Sequence, residues 1–221
     1  MNIGIIVLVV LFVGLLAYMI WYTGAASSNE MVLVEDSIAG ATSTTLPVII
    51  PQSYNQPEGI VYSYSMWVLI KDFTTGYGLR RLIFGKSDAP AIYIDSTSNS
   101  LIVAVKTYEM VETILIPNIP AMKWLHIAVV VNQQAVDVYI NGTLRQHHTL
   151  SQLPDQNTDS FSIGPSWNGV VGKIKYFPKS LSYGEVRTLS QEKPPSDQRP
   201  KISESDYFDL SWYIGRLNST A

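Results

Sequence analysis

The residues best suited to chemistry in this 221-residue chain are few, and their spacing works against it. Glycoside hydrolysis needs two carboxylates in one cleft, and a strand delivers them when acids alternate at a period of two. Glu109 and Glu112 are three apart, so on a strand they face opposite ways. Asp137 stands alone between Val136 and Val138. Acyl transfer by serine would call for a G-x-S-x-G elbow, and none is present. His126 lies inside the apolar run WLHIAVVV, where packing is its expected role rather than base catalysis. His147 and His148 are adjacent, point to opposite faces and lack zinc-ligand spacing. Glycine stretches such as GKSDAP do not follow the phosphate-loop pattern. With no cysteine, disulfides, thiolate metal sites and thiol nucleophiles are excluded. No catalytic residue is expected.

Binding chemistry has better candidates. Trp167 and Asn168 in GPSWNG, and Tyr77 in TTGYG, are loop aromatics with polar neighbours, the equipment for stacking on a sugar. The same tryptophan would serve equally well folded over the rim of a domain. In VYINGTL, the pair Asn141 and Gly142 admits three uses: a tight hairpin turn, a glycan acceptor (the sequon continues to Thr143) or a ligand loop. A two-residue type I′ turn fits best, because both its central positions need positive φ and Asn-Gly meets that need at low cost.

Composition narrows the partners. The net charge is −3 and only 15% of residues are charged, so no basic surface for nucleic acid is expected. Residues Ile3 to Tyr22 form an uncharged, proline-free apolar run. About 20 helical residues span a hydrocarbon core, and Tyr18, Trp21 and Tyr22 would sit at the headgroups. A positively charged leader is missing, which favours an uncleaved anchor in membrane lipid over a signal peptide. Residues 1–24 are therefore expected to be a transmembrane helix, and 25–59 a small, polar spacer with edge strands at 31–34 and 46–50.

From 60 to 190 the chain changes to about ten short β-runs separated by turn residues, the pattern of a sandwich or barrel. In IVYSYSMWVLI, Tyr62, Tyr64, Met66, Val68 and Ile70 share one face. WLHIAVVV is apolar on both faces and is expected to be a central, covered strand. Ser182 with Glu185 three residues on forms a capping box that opens a short helix. Residues 191–206 form a Pro-rich linker. In 207–221, Phe208 with Trp212 and Tyr213 with Leu217 are i, i+4 pairs on a helix that would either pack on its own domain or dock on a partner or the membrane interface.

YSYSMWVLI, LIFGKSDAPAIYID, WLHIAVVV, VYINGTL and FSIGPSWNGVVGKIKYFPKSLSYGEVRTL, in this order, resemble the concanavalin A-like lectin/glucanase superfamily, particularly its laminin G-like branch. The resemblance implies an all-β jelly-roll sandwich of two antiparallel sheets, here preceded by one transmembrane helix. Domains of this branch often hold a calcium ion at the rim, which makes Asp88, Asp95, Asn99 and Asn168 candidate ligands, with plain solvated loop residues as the alternative; no other cofactor is expected. An anchor, a stalk and one such domain are similar in arrangement to minor capsid or virion-membrane proteins of large icosahedral DNA viruses. Two functions follow as expectations: a structural protein linking a membrane to neighbouring, capsid-like proteins, or a membrane-displayed lectin that binds a glycan.

Overall fold

The computed structural model describes residues 4, 11–18, 30–48, 50, 60–157 and 159–196. Residues 11–18 form helix α1. Among the described residues no helix is long and apolar enough to cross a membrane, and most of the run 3–22 lies outside them.

Among the described residues twelve strands follow α1. They are β1 (Met31–Ala39), β2 (Thr44–Leu46), β3 (Val61–Ile70), β4 (Arg81–Gly85), β5 (Ala91–Ile94) and β6 (Leu101–Lys106). Then come β7 (Val111–Ile116), β8 (Trp124–Asn132), β9 (Ala135–Ile140), β10 (Thr143–Thr149), β11 (Phe161–Ile163) and β12 (Gly169–Phe177), before helix α2 (Tyr183–Ser190). Sheet A runs β1-β12-β3-β8-β9-β10 and sheet B runs β2-β11-β4-β5-β6-β7, with every pairing antiparallel. The stretch read as a spacer thus contributes an edge strand to each sheet. Register shifts in β1 on either side of Val34 let the adjacent Leu33 and Val34 both reach the core.

Alternation fills the space between the sheets. Tyr62, Tyr64, Met66, Val68 and Ile70 of β3 point into it and meet Ile83, Ile92, Val103 and Ile114 of sheet B. Each fully buried aliphatic side chain contributes about 1.5–3 kcal/mol. The opposite face of β8 is covered as well. Ala128 and Val130, with Tyr139 of β9 and Phe177 of β12, form a second apolar cluster with Leu181, Val186 and Leu189 at α2. The capping box that opens α2 is complete: Glu185 N–H donates to Ser182 Oγ, and Ser182 N–H donates to Glu185 Oε2 at 2.8 Å.

Beyond α2 the chain continues across sheet A. Lys175 Nζ donates to Glu192 at 3.0 Å, Lys173 Nζ donates to the Lys193 carbonyl at 2.7 Å, and Pro195 is buried. The beginning of the expected linker 191–206 is therefore a strap on the domain. The remainder, and the docking segment with Phe208, Trp212, Tyr213 and Leu217, lie outside the described residues.

Asn141 and Gly142 have φ of 51° and 76° and join β9 to β10, as a type I′ turn requires. Two contacts add to this. Asn141 Oδ1 accepts the His126 N–H at 2.9 Å, and a Cβ on Gly142 would press on Ser190 Oγ of α2. The carboxamide oxygen of Asn141 is thereby tied to β8.

Candidate functional site

At one end of the sandwich the loops after β3, β5 and β11 meet around Arg81, the first residue of β4. Its side chain is almost wholly buried. Nη1 donates to the carbonyls of Phe73 (2.9 Å) and Thr75 (2.8 Å), and Nη2 donates to the carbonyl of Asp95. Nε has no partner among the described residues. Burial pushes the guanidinium pKa down, opposed by the nearby Asp95 and Asp72 carboxylates. Asp72 accepts N–H bonds from Thr74 (3.0 Å) and Thr75 (2.7 Å) and a bond from the Asn168 amide. The Thr75 backbone bond is the largest influence, and its carboxyl lies well below the usual carboxylate range although burial opposes this. Gly76, at φ 68°, is needed here because a Cβ would overlap the Ser166 carbonyl and Arg81.

This end does not assemble the expected ligand sites. Trp167 is fully buried against Gly40 and Gly169, where a Cβ on either glycine would overlap its ring. It therefore offers no stacking face to a sugar; the rim-packing alternative is the one observed. Asn168 is engaged with Asp72. Tyr77 alone of the three is presented to solvent, with 64% of its surface exposed.

The calcium candidates are not brought together. Asp88 and Asp95 flank opposite ends of β5. Asp88 Oδ1 accepts the Tyr93 hydroxyl at 2.6 Å, Asp95 Oδ2 accepts from Ser98 Oγ at 2.7 Å, and Asn99 Nδ2 donates to the Ile119 carbonyl at 3.4 Å. A hard ion needs several oxygens converging on one point. Among the described residues no group of three or more His, Asp or Glu side chains could hold a metal. Three carbonyl oxygens do converge at the rim, but on the guanidinium of Arg81.

The histidines are similarly committed. His126 is fully buried, with Nε2 2.8 Å from Ser65 Oγ, and burial pushes its pKa down to about 4, so the ring is neutral at pH 7. This serine–histidine pair has no acid on Nδ1, which lacks a partner among the described residues, and no access for a substrate. His147 pairs with Asp137 at 2.6 Å and His148 with Glu112 at 2.9 Å. Glu112 also accepts the N–H and hydroxyl of Ser151, joining β7 to the chain after β10 across the sandwich edge. Glu109 and Glu112 do not form a paired-carboxylate cleft.

One surface was not apparent from the sequence. Register places Leu82, Tyr93, Ile102 and Leu115 side by side across β4, β5, β6 and β7. Their neighbours Ile92, Val103 and Ile114 fill the core, so the row lies on the outer face of sheet B. Leu115 is 54% exposed, and the Arg80 guanidinium carbon sits 4.1 Å from the Tyr93 ring centroid. Both faces of LIVAVK are apolar in the sequence, which is the one signal available.

A family model described as concanavalin A-like lectin/glucanases superfamily matches residues 44–187. No curated protein matches the sequence. Among solved structures, the binding domain of Paraclostridial Mosquitocidal Protein 1 is similar at 15% identity and a TM-score of 0.57, covering 74% of this chain and 47% of that one. The ligand binding domain of botulinum neurotoxin serotype D, in complex with N-acetylneuraminic acid, is 14% identical at a TM-score of 0.55 and covers 75% and 46%. The binding domain of botulinum neurotoxin DC, in complex with rat synaptotagmin II, is 14% identical at 0.57 and covers 73% and 51%. This chain spans about half the length of these chains, and the likeness is one of fold.

Proposed function

Because this chain belongs to the concanavalin A-like lectin/glucanases superfamily, we propose that it is a non-enzymatic binding module. It is tethered in a membrane through residues 3–22 and holds a partner protein on the outer face of sheet B. One observation carries this: the two outer faces are treated differently. Sheet A wears its own helix and strap, while sheet B leaves the row Leu82, Tyr93, Ile102 and Leu115 without a cover among the described residues. An aromatic ring under an arginine, flanked by aliphatics, is the composition favoured at protein contacts. The committed side chains of Glu112, His126 and His148 support the absence of catalysis.

A photo-crosslinker at Ile102 in the full-length chain, in its native membrane, is expected to capture one partner protein. The same crosslinker at Lys179 on the helix side should not. Leu115→Asp should abolish the Ile102 crosslink while changing stability by less than about 1 kcal/mol. An unchanged crosslink would overturn the proposal. In its finer form, the partner is a shell protein and the membrane that of an icosahedral virus particle. The chain should then co-purify with particles; finding it in host membranes but not in particles would rule this out.

A glycan-binding reading is favoured by Tyr77, exposed on a loop held rigid by Asp72 and Arg81. A glycan array on the full chain, compared with Tyr77→Ala, decides it. Identical patterns for the two proteins would remove Tyr77 from consideration.

A further inference from the structure

The loops at the Arg81 end of the sandwich hold apolar side chains out in solvent. Tyr77 and Leu79 come from the loop between β3 and β4, and Met122 comes from the loop between β7 and β8. Leu79 and Met122 are 59% and 58% exposed. The backbone beneath them is fixed. Tyr77 N–H donates to the Thr74 carbonyl (3.0 Å), Gly78 N–H to that of Ser96 (2.8 Å) and Leu79 N–H to that of Gly76 (3.0 Å). Met122 N–H donates to the Ile70 carbonyl at 2.7 Å, which ties the second loop to the start of the first. Met122 also has a φ of 60°, a left-handed conformation that a non-glycine apolar residue seldom adopts. Backbone of this kind persists where the surrounding structure enforces it, and it gathers at functional loops. Here it keeps an apolar side chain in water.

Charge separates this end from the other. Its described loops hold Lys71, Arg80 and Lys123 against Asp72 and Asp95, with Arg81 beneath them. Both carboxylates are turned into their own loops, Asp72 toward Thr74 and Thr75 and Asp95 toward Ser98. Neither Lys71 nor Lys123 forms an ion pair among the described residues. The described loops at the other end hold Lys86 and Lys179 against Asp88, Glu109, Asp155 and Asp159. Tyr108 and Met110 are exposed there too, but Glu109 stands between them. A negatively charged surface is therefore attracted by one end and repelled by the other. Apolar and aromatic tips beside free lysines suit an anionic bilayer, where the tips enter the headgroup layer and the cations meet its charge. The three tips are separate wedges, which a fluid surface accommodates without a matching shape. Leu79 and Met122 present no ring on which a nucleic-acid base could stack.

We propose that the Arg81 end docks on an anionic lipid surface, with Tyr77, Leu79 and Met122 entering the headgroup layer and Lys71 and Lys123 meeting its charge. β1 enters the domain at the other end, where Met31 pairs with Tyr176. A tether at 3–22 thus leaves this rim as the remote end, and the lipid it meets is that of a second membrane. The docking itself rests neither on the tether, nor on the row across sheet B, nor on a sugar at Tyr77.

The chain has no cysteine, so Leu79→Cys in the full chain gives a single site for an apolar, environment-sensitive thiol fluorophore. The labelled chain, reconstituted in phosphatidylcholine discs, is mixed with vesicles of equal parts phosphatidylserine and phosphatidylcholine, or of phosphatidylcholine alone. A blue shift is expected with the first vesicles and none with the second. The same label at Met110→Cys, on the acidic end, should not shift with either. Met122→Asp, and Lys71→Glu with Lys123→Glu, should each raise the lipid concentration needed for half the shift about tenfold or more. Salt at about 0.5 M should weaken binding too. Leu115→Asp should leave the shift unchanged, which separates this docking from the row across sheet B. These vesicles carry no sugar, so the result is also independent of the glycan reading. The label reports on the rim whether or not the chain sits in the disc, so failure of the tether is distinguishable. No shift with phosphatidylserine, an equal shift with phosphatidylcholine alone, an equal shift from the label at 110, or unchanged affinity in both sets of variants would overturn the proposal.

Discussion

The two ends of β4 each carry a cation taken out of water, and they are equipped in opposite ways. Arg81 reaches three backbone carbonyls from two loops, so its charge knits the rim together. Lys86, just past the other end, has an aromatic ring beside it and no carboxylate or carbonyl in bonding contact among the described residues. The planar fork of an arginine suits fixed, multiple acceptors, while a lysine is a single mobile point charge. A satisfied buried cation is structural. Lys86 anchors no such set of carbonyls, and the fold holds its charge out of most water at some cost in stability.

That contrast makes Arg81 the most damaging position to change. Arg81→Met would strand three buried carbonyls, and a loss of about 3–5 kcal/mol is expected in urea unfolding. A loss below about 1 kcal/mol would mean water satisfies the rim and the two ends do not differ as described. Gly142→Val should cost about 2–3 kcal/mol by thermal melt, because it combines a β-branched residue at positive φ with overlap on Ser190.

His126 extends the comparison to a buried group that stays neutral. Its folded pKa, about 4, lies below the ordinary 6.5, so the unfolded chain binds the extra proton between those values. Stability is therefore lost as pH falls from about 6.5 to about 4, by about 2 kcal/mol between pH 7 and 4.5. His126→Gln should flatten that slope, measured by urea unfolding at both pH values. Asp72, with a depressed pKa, loses its contribution only at lower pH, so the two windows are distinct. The smallest effect belongs to Lys86. Lys86→Met should change stability by less than about 1 kcal/mol or raise it, because no bond is broken and a desolvated charge is removed. A loss as large as that at Arg81 would show that Lys86 is structural and would erase the contrast.

The strands were legible because alternation and turn residues are local. Tyr62, Tyr64, Met66, Val68 and Ile70 fill the core as their period of two requires. Asn141 and Gly142 form the turn their types favour, and Ser182 with Glu185 caps α2. Candidate sites were harder to read. Trp167 looks displayed in GPSWNG because its neighbours are turn formers, but Gly40, far away in sequence, makes the space that buries it. Asp88 and Asp95 are candidate ligands of one ion by type, but β5 runs between them and holds them apart.

The sequence by itself determined an all-β sandwich, its family, the hairpin punctuation and the lack of an acid pair for glycoside cleavage, since each rests on residue type and near-neighbour spacing. Only the tertiary structure decided which side chains are spent and which are left over. The convergence of Phe73, Thr75 and Asp95 on Arg81, the row across sheet B and the placing of Lys86 beside the Phe161 ring all depend on how the strands register and the loops meet. Register is set by how the sheets pack, because a one-residue slip would turn every side chain to the other face.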